Sequence, residues 1–217
     1  MRILITAGGT REYIDPVRFI SNASSGRMGF ALARAALKAG HKVTLITTVH
    51  HPSSIVHRDT SHERRATIIV VETAAQMFEA AKKHFPRCDC LIMAAAVADY
   101  APIRPAKRKI RRANKPITIK LKSTPDILKW AAAHKKSKMR RRRRLVVGFA
   151  LEDKNLRQNA ERKLKEKNLD MIIVNTPAAI GADKINVQIK TPDSEWIKLP
   201  FANKAIIARR IVALLGC

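Results

Sequence analysis

Residues 24–29, SSGRMG, set two serines and two glycines against the start of an apolar-periodic segment. A helix start of this kind carries unpaired N–H groups and the positive end of the peptide dipole. Glycines let an anion approach the backbone, so a phosphate is the expected occupant. A serine N-cap with glycines for close helix packing fits the same residues, and both readings stay open on this stretch. The pattern is not the dinucleotide fingerprint, in which G-x-G-x-x-G joins strand to helix directly. Here GGT (8–10) and SSG (24–26) stand well apart, and the second strand ends in LITTVHH (45–51) without a ribose-binding acid. An NAD-dependent reductase is disfavoured, and the chain has no G-K-[ST] of a Walker loop.

Further candidates lie where apolar runs end. Asp99 follows the run CLIMAAA (90–96) and suits a metal, a ribose hydroxyl or a base edge; a cap or turn role fits the same position. Lys163 and Lys167, four apart, share one helix face and could clamp a polyphosphate, or could simply face solvent. His50, His51, His57 and His62 have no cysteine or carboxylate at zinc spacing and read as loop residues. Cys88, Cys90 and Cys217 do not form a disulfide framework, and the first two read as strand residues.

The elements that must position these groups alternate. Short apolar runs without polar alternation, at 3–6, 42–47, 66–72, 90–96, 145–150 and 170–175, read as strands covered on both faces. Helical spacing runs from Gly26 to Ala39 with Gly40 as terminator, and again over 74–85, 155–168 and 203–215. Thr124 reads as the N-cap of a helix with Pro125 in its first turn. ITIKLK (117–122) alternates and reads as a strand with one wet face; INVQIK (185–190) reads as an antiparallel edge strand. Residues 99–116 hold three prolines and a basic cluster, which excludes a regular element and suggests a flap. The whole predicts one α/β domain over 1–217: a Rossmann-like, doubly wound, mostly parallel sheet with helices on both faces and an antiparallel extension. In such a sheet ligands sit beyond the carboxyl ends of the strands. AGGT, AAAVADY and GFALED should therefore share one rim.

Composition sets the boundaries. With 217 residues, 46% of them hydrophobic and 5% aromatic, the core must be aliphatic. No apolar run reaches the roughly 20 residues of a bilayer span, and Met1 leads into RILIT without a signal-peptide pattern, so a cytoplasmic protein is expected. The 43 Lys+Arg against 17 Asp+Glu, formally +26, favour anionic partners. The run KKSKMRRRRR (135–144) reads as a solvated loop.

The segments ILITAGGTREYIDPVRFISNASSGRMG (3–29), AAAVADY (94–100), KIRR (109–112), STPDIL (123–128), VGFALE (147–152) and RKLKEKNLDMIIVN (162–175), in this order, resemble phosphopantothenoylcysteine synthetase, a ligase of coenzyme A biosynthesis. The resemblance implies activation of the 4'-phosphopantothenate carboxylate by CTP, or by ATP, as an acyl-nucleotide with release of pyrophosphate. The amine of L-cysteine then displaces the nucleotide. It implies Mg²⁺ with the triphosphate, no metal held by the protein itself, no flavin in this chain, and a homodimer. Because the first motif begins at the first residues, a stand-alone ligase is expected.

Carried over by motif, Asn22 matches the asparagine that holds the activated carbonyl, as a donor to its oxygen. Gly8, Gly9, Ser24, Ser25, Gly26, Ala94, Ala95, Asp99, Thr124, Pro125, Asp126, Ile127, Phe149, Lys163 and Lys167 match nucleotide-contacting positions. The flap reads KIRR where the family has KIKK, so Arg111 stands at the catalytic lysine position, beside Lys109. GFALED replaces the family's GFAAET. Two other classes compete: a basic nucleic-acid-binding protein, and a nucleotide-binding relative of the fold without ligase activity. Against nucleic acid, only two Tyr and two Trp are present and none interleaves the basic clusters as a stacking platform requires.

Overall fold

The structure, a computed structural model, describes residues 1–50, 66–112, 114–136 and 143–216. His51, His57, His62, Cys217 and Arg140 to Arg142 lie outside the described residues. The strands are β1 (Arg2–Ala7), β2 (Arg11–Tyr13), β3 (Phe19–Ser21), β4 (Lys42–Thr47), β5 (Thr67–Val70), β6 (Cys90–Met93), β7 (Tyr100–Pro102), β8 (Leu121–Ser123), β9 (Leu145–Leu151), β10 (Met171–Asn175), β11 (Lys184–Lys190) and β12 (Ile197–Asn203). The helices are α1 (Arg27–Lys38), α2 (Ala74–His84), α3 (Ile127–Ala133), α4 (Leu156–Glu166) and α5 (Lys204–Ala213).

Eight strands form one sheet in the order β12-β11-β10-β9-β6-β1-β4-β5. From β5 to β10 the pairing is parallel, with Ile5 of β1 opposite Leu45 on one side and Ile92 on the other. The continuous Val/Ile/Leu runs of β1, β4, β6, β9 and β10 explain this, since both faces of those strands are covered; β5, expected to be covered likewise, is the sheet edge and is only half-buried, with Val70 exposed. α1 and α5 pack one face around Phe30, Leu32, Ile207 and Ile211. α2, α3 and α4 pack the other around Met77, Ile127, Leu128 and Leu164. The chain winds outward from β1 through β4 to β5, then returns to β6 and winds the other way. The switch point therefore lies between β1 and β6, where such sheets open a crevice at their carboxyl ends.

Several local expectations need correction. The antiparallel strand β11 is not the edge, because β12 pairs with it and closes that side. β12 escapes the sequence because Pro200 and its exposed Phe201 break the expected pattern. Two small hairpins were also not visible: β2 with β3, and β7 with β8. Residues 100–102, expected to be irregular, form β7, whereas of the alternating run 117–122 only its last residues join β8. Prolines 102, 105 and 116 lack the N–H donors a longer ladder needs. Cys90 starts β6, and Cys88 precedes it at the end of a short 3-10 turn.

The arginine run is not simply solvated where it is described. Arg143 pairs with Asp170, and the buried Lys135 reaches the same carboxylate at 2.8 Å. Arg144 is buried: it donates to Pro86 O at 2.8 Å and His134 O at 3.3 Å, and its guanidinium lies 5.2 Å from the Phe85 ring centre. Arg144→Ala removes two part-buried hydrogen bonds, each worth about 1 kcal/mol, together with the guanidinium's contact with the Phe85 ring. A fall in Tm of about 5–10 °C is expected for a chain of this size. Thermal melting followed by circular dichroism checks it, and an unchanged Tm would return the residue to the solvated class.

Candidate active site

The β1 end is built on close approach. A Cβ on Gly9 would collide with the Asn22 carbonyl, and one on Gly8, whose φ is +91°, with the Thr48 hydroxyl. These contacts let the segment after β3 lie directly over the GGT turn. Gly26 is the N-cap of α1 at φ 72°, a left-handed conformation that glycine adopts without a Cβ penalty. Among the described residues no side chain caps this helix; the nearest serine contact is Ser24 Oγ accepting from Gly26 N at 3.4 Å. The serine-cap alternative therefore fails, while its packing half holds: Gly29 lies so close to Ala7 that a Cβ would collide. The α1 start faces the cavity described below with its amides available to an anion.

The loop after β6 is stitched to its neighbours. Ala95 N donates to Thr6 Oγ1 at 3.1 Å, Ala96 N to Gly8 O at 2.8 Å and Ala98 N to Thr10 Oγ1 at 2.9 Å. Asn22 crosses onto the same loop, its Nδ2 donating to Ala96 O at 3.3 Å and Val97 O at 3.1 Å. On the other side the Thr124 hydroxyl donates to Ala98 O at 2.6 Å, and Thr124 N donates to Asp99 O at 2.9 Å. Thr124 is thus a loop anchor and not the helix cap. Asp126 caps α3, accepting from Lys129 N at 3.0 Å. Thr6 and Thr10, both buried, position the rim and were missed, because a threonine inside a strand or turn reads as ordinary β residue.

α4 contributes its two lysines to the same rim. Lys163 Nζ donates to Phe149 O at 2.9 Å, and Lys167 Nζ meets Asp126 Oδ2 at 2.9 Å. Burial first, then the neighbouring Lys167 charge, push the Lys163 ammonium below its ordinary value; Glu152, Asp126 and Asp99 offset part of this. Burial alone would raise Asp126, but the Lys129 amide and Lys167 outweigh it and hold the carboxyl below the usual range. Lys163 would favour an anion in this cavity only in its charged form. The sign follows: as pH rises, Lys163 loses its proton before an ordinary lysine at 10.5 would, so anion affinity falls early. Titration of inorganic triphosphate across alkaline pH should show weakening that begins below 10.5. Lys163→Met should shrink that limb, and a limb unchanged in the variant would sink the assignment.

These groups enclose one cavity of about 860 Å³ beyond the carboxyl ends of the strands. Asn22, Ser24, Ser25, Gly26, Ala94, Ala95, Asp99, Thr124, Pro125, Asp126, Ile127, Phe149, Lys163 and Lys167 all line it. Gly8 and Gly9 lie beneath, against Gly26 and Asn22. Arg111 and Lys109 do not line it. Their segment is held on the β2–β3 turn, where Ala106 N donates to Ile14 O at 2.8 Å, Ile110 N to Asp15 Oδ2 at 3.1 Å, and Arg18 to Ile110 O at 2.6 Å. Burial would raise the Asp15 carboxyl; hydrogen bonds from Arg18, Val17 and Ile110 reverse this and hold it well below the usual carboxylate range. Arg27, Asn175, the 179–181 turn and Lys204 also line the cavity, and no motif announced Arg27's role or Lys204.

No helix among the described residues is long and apolar enough to cross a membrane, and no cluster of three His, Cys, Asp or Glu among them suits a metal.

The chain is 45% identical over 215 residues to a protein named cysteine/cysteine sulfinic acid decarboxylase from an unknown prokaryotic organism, covering 97% of this chain and 56% of that one. It is 37% identical over 217 residues to the coenzyme A biosynthesis bifunctional protein CoaBC of Bacillus subtilis (strain 168), covering 97% of this chain and 50% of that one. The chain thus spans about half the length of these curated relatives. The crystal structure of the C-terminal domain of a CoaBC superposes with a TM-score of 0.77 at 37% identity, covering 99% of this chain and 93% of that domain. A protein family described as the DNA/pantothenate metabolism flavoprotein C-terminal domain matches residues 1–216. With that match across the chain and the shared fold around one rim, the chain belongs to the family of DNA/pantothenate metabolism flavoprotein C-terminal domains.

Proposed function

We infer that this chain joins 4'-phosphopantothenate to L-cysteine, using a nucleoside triphosphate, in coenzyme A biosynthesis. The observation that carries the reading is the single cavity that gathers the α1 start, the loop 94–99, the 124–127 turn and the α4 lysines. Kinship with CoaBC proteins supports it. The decarboxylase name belongs to a protein of which the chain spans 56%, and the cations of this cavity suit phosphate transfer better than loss of carbon dioxide.

In the first step the pantothenate carboxylate attacks the α-phosphorus of CTP, giving an acyl-cytidylate and pyrophosphate. Charge builds on the departing pyrophosphate, where fixed cations and helix-end amides stabilise it without reorganising. Lys163, Lys167 and the α1 start with Ser24, Ser25 and Gly26 supply them. In the second step the cysteine amine attacks the acyl carbonyl, forming the amide and expelling CMP. On this reading Asn22, on the cavity wall, donates to that carbonyl, Ala95 and Asp99 contact the cytidine, and Arg111 is brought in by the flap. Mg²⁺ would arrive on the triphosphate, since it keeps several waters and needs few protein carboxylates; Asp99 and Asp126 are those on the cavity wall. A homodimer fits the exposed apolar residues of the two small hairpins, Val17, Phe19, Tyr100, Ile103 and Leu121.

Pyrophosphate release, assayed with 4'-phosphopantothenate and either CTP or ATP, tests the reading. Release that requires the pantothenate acid is expected, with CTP preferred. No release with either nucleotide would overturn it.

A further inference from the structure

Each face of the sheet lends the cavity a pair of cations. Lys163 and Lys167 come from α4; Arg27 and Lys204 are the first residues of α1 and α5, on the opposite face. Between these two helix starts the 179–183 segment is strapped. Arg27 donates to Gly181 O at 3.2 Å and Asp183 Oδ1 at 2.7 Å; Lys204 Nζ donates to Ala179 O at 3.2 Å, and its backbone N to Asp183 O at 3.1 Å.

This arrangement is short of negative charge. Burial, and then the charge of Arg27, push the Lys204 ammonium below its ordinary value, and Asp183 restores only part. The Asp183 side chain is 86% exposed, so its pair with Arg27 is weak and readily exchanged for a better anion. Lys204 lines the cavity wall together with Arg27 and the start of α1, which no side chain among the described residues caps.

We propose that Arg27 and Lys204 form a second phosphate-binding pole of the cavity, distinct from Lys163 and Lys167, which takes a phosphate group of one of the two phosphorylated substrates. The assignment rests on the ligase reading above for the identity of those substrates. The shared chemistry is a phosphate with at least two acceptor oxygens. Its source is either the pyrophosphate end of the nucleotide or the monoester phosphate of the pantothenate arm.

Calorimetric titration of inorganic pyrophosphate, CTP and 4'-phosphopantothenate into wild type, Lys204→Met, Lys204→Arg and Arg209→Met decides it. Lys204→Met should weaken at least one probe by about tenfold or more, and Lys204→Arg should recover most of the loss. Arg209→Met, an exposed charge on the same helix, should stay within about twofold. Loss for pyrophosphate and CTP assigns the pole to the nucleotide; loss confined to phosphopantothenate assigns it to the monoester. Should Lys204→Met melt below wild type, Arg27→Gln carries the same comparison. The pole is overturned if a normally melting Lys204→Met binds all three probes as wild type does, or if wild type binds none. A wild type that binds the probes yet forms no ligation product removes the ligase reading and leaves the pole standing. Product formed by Lys204→Met with wild-type KM for both substrates does the reverse.

Discussion

Asn22→Ala should lower kcat by about 10² to 10³, with nucleotide affinity near wild type, as loss of an oxyanion donor does elsewhere. The structure refines how the side chain can act. Its Nδ2 donates to the carbonyls of Ala96 and Val97, which are acceptors only, so the amide nitrogen must face them and Oδ1 must face away. Donation to the reacting carbonyl therefore requires one of these bonds to be exchanged in the transition state. The longer, 3.3 Å to Ala96 O, is the one to give way. Asn22→Asp should be no better than the alanine variant. It lacks both donors and sets a carboxylate against two carbonyl oxygens. Steady-state kinetics with independent CTP titration separates the possibilities. If affinity for CTP fell as far as kcat, Asn22 would belong to ground-state binding and the transition-state role would be lost.

Where a run of aliphatic residues had to be buried on both faces, the sequence was easy to read. β1, β4, β6, β9 and β10, with α1, α2 and α4, follow from such runs and from helical spacing, and the rim at their carboxyl ends follows from the topology. What escaped depends on partners distant in sequence. The β2–β3 hairpin has strands of three residues, and its turn is set by Asp15 bonding Val17, Arg18 and Ile110 rather than by turn glycines. Thr124 has the type and spacing of a cap, yet the Ala98 carbonyl claims its hydroxyl and leaves the cap to Asp126. Arg144 is one letter in a basic run; only the aromatic face of Phe85 and the carbonyls of Pro86 and His134 make it a core residue. The cavity-lining residues were legible because they fall in motifs after strand ends, at the α1 start and at the end of α4, whereas Lys204 joins them through a helix that begins 29 residues after the end of β10.

Arg111→Gln should still release pyrophosphate but accumulate the acyl-nucleotide when cysteine is added, slowing product formation by about 10², while Arg111→Lys stays active. A guanidinium supplies charge and binds phosphate in a bidentate manner, but it cannot lose a proton at neutral pH, so a role filled by Arg111 is electrostatic and not that of a base. In the structure the residue is exposed and does not line the cavity. For the proposed role the 106–112 segment must move, or a second copy must present the residue. The segment is anchored at Ile110, whose N–H donates to Asp15 and whose carbonyl accepts from Arg18. Asp15→Asn keeps the size of the side chain but removes the charge that binds Arg18, so it should slow cysteine capture in the same step as Arg111→Gln and leave pyrophosphate release less affected. Rapid-quench measurement of acyl-nucleotide and product reads both variants. Were Arg111→Gln as fast as wild type, the charge would have to come from Lys109 or Lys107. If Asp15→Asn slowed pyrophosphate release as much as capture, the Asp15 contact would support the whole site and not the flap.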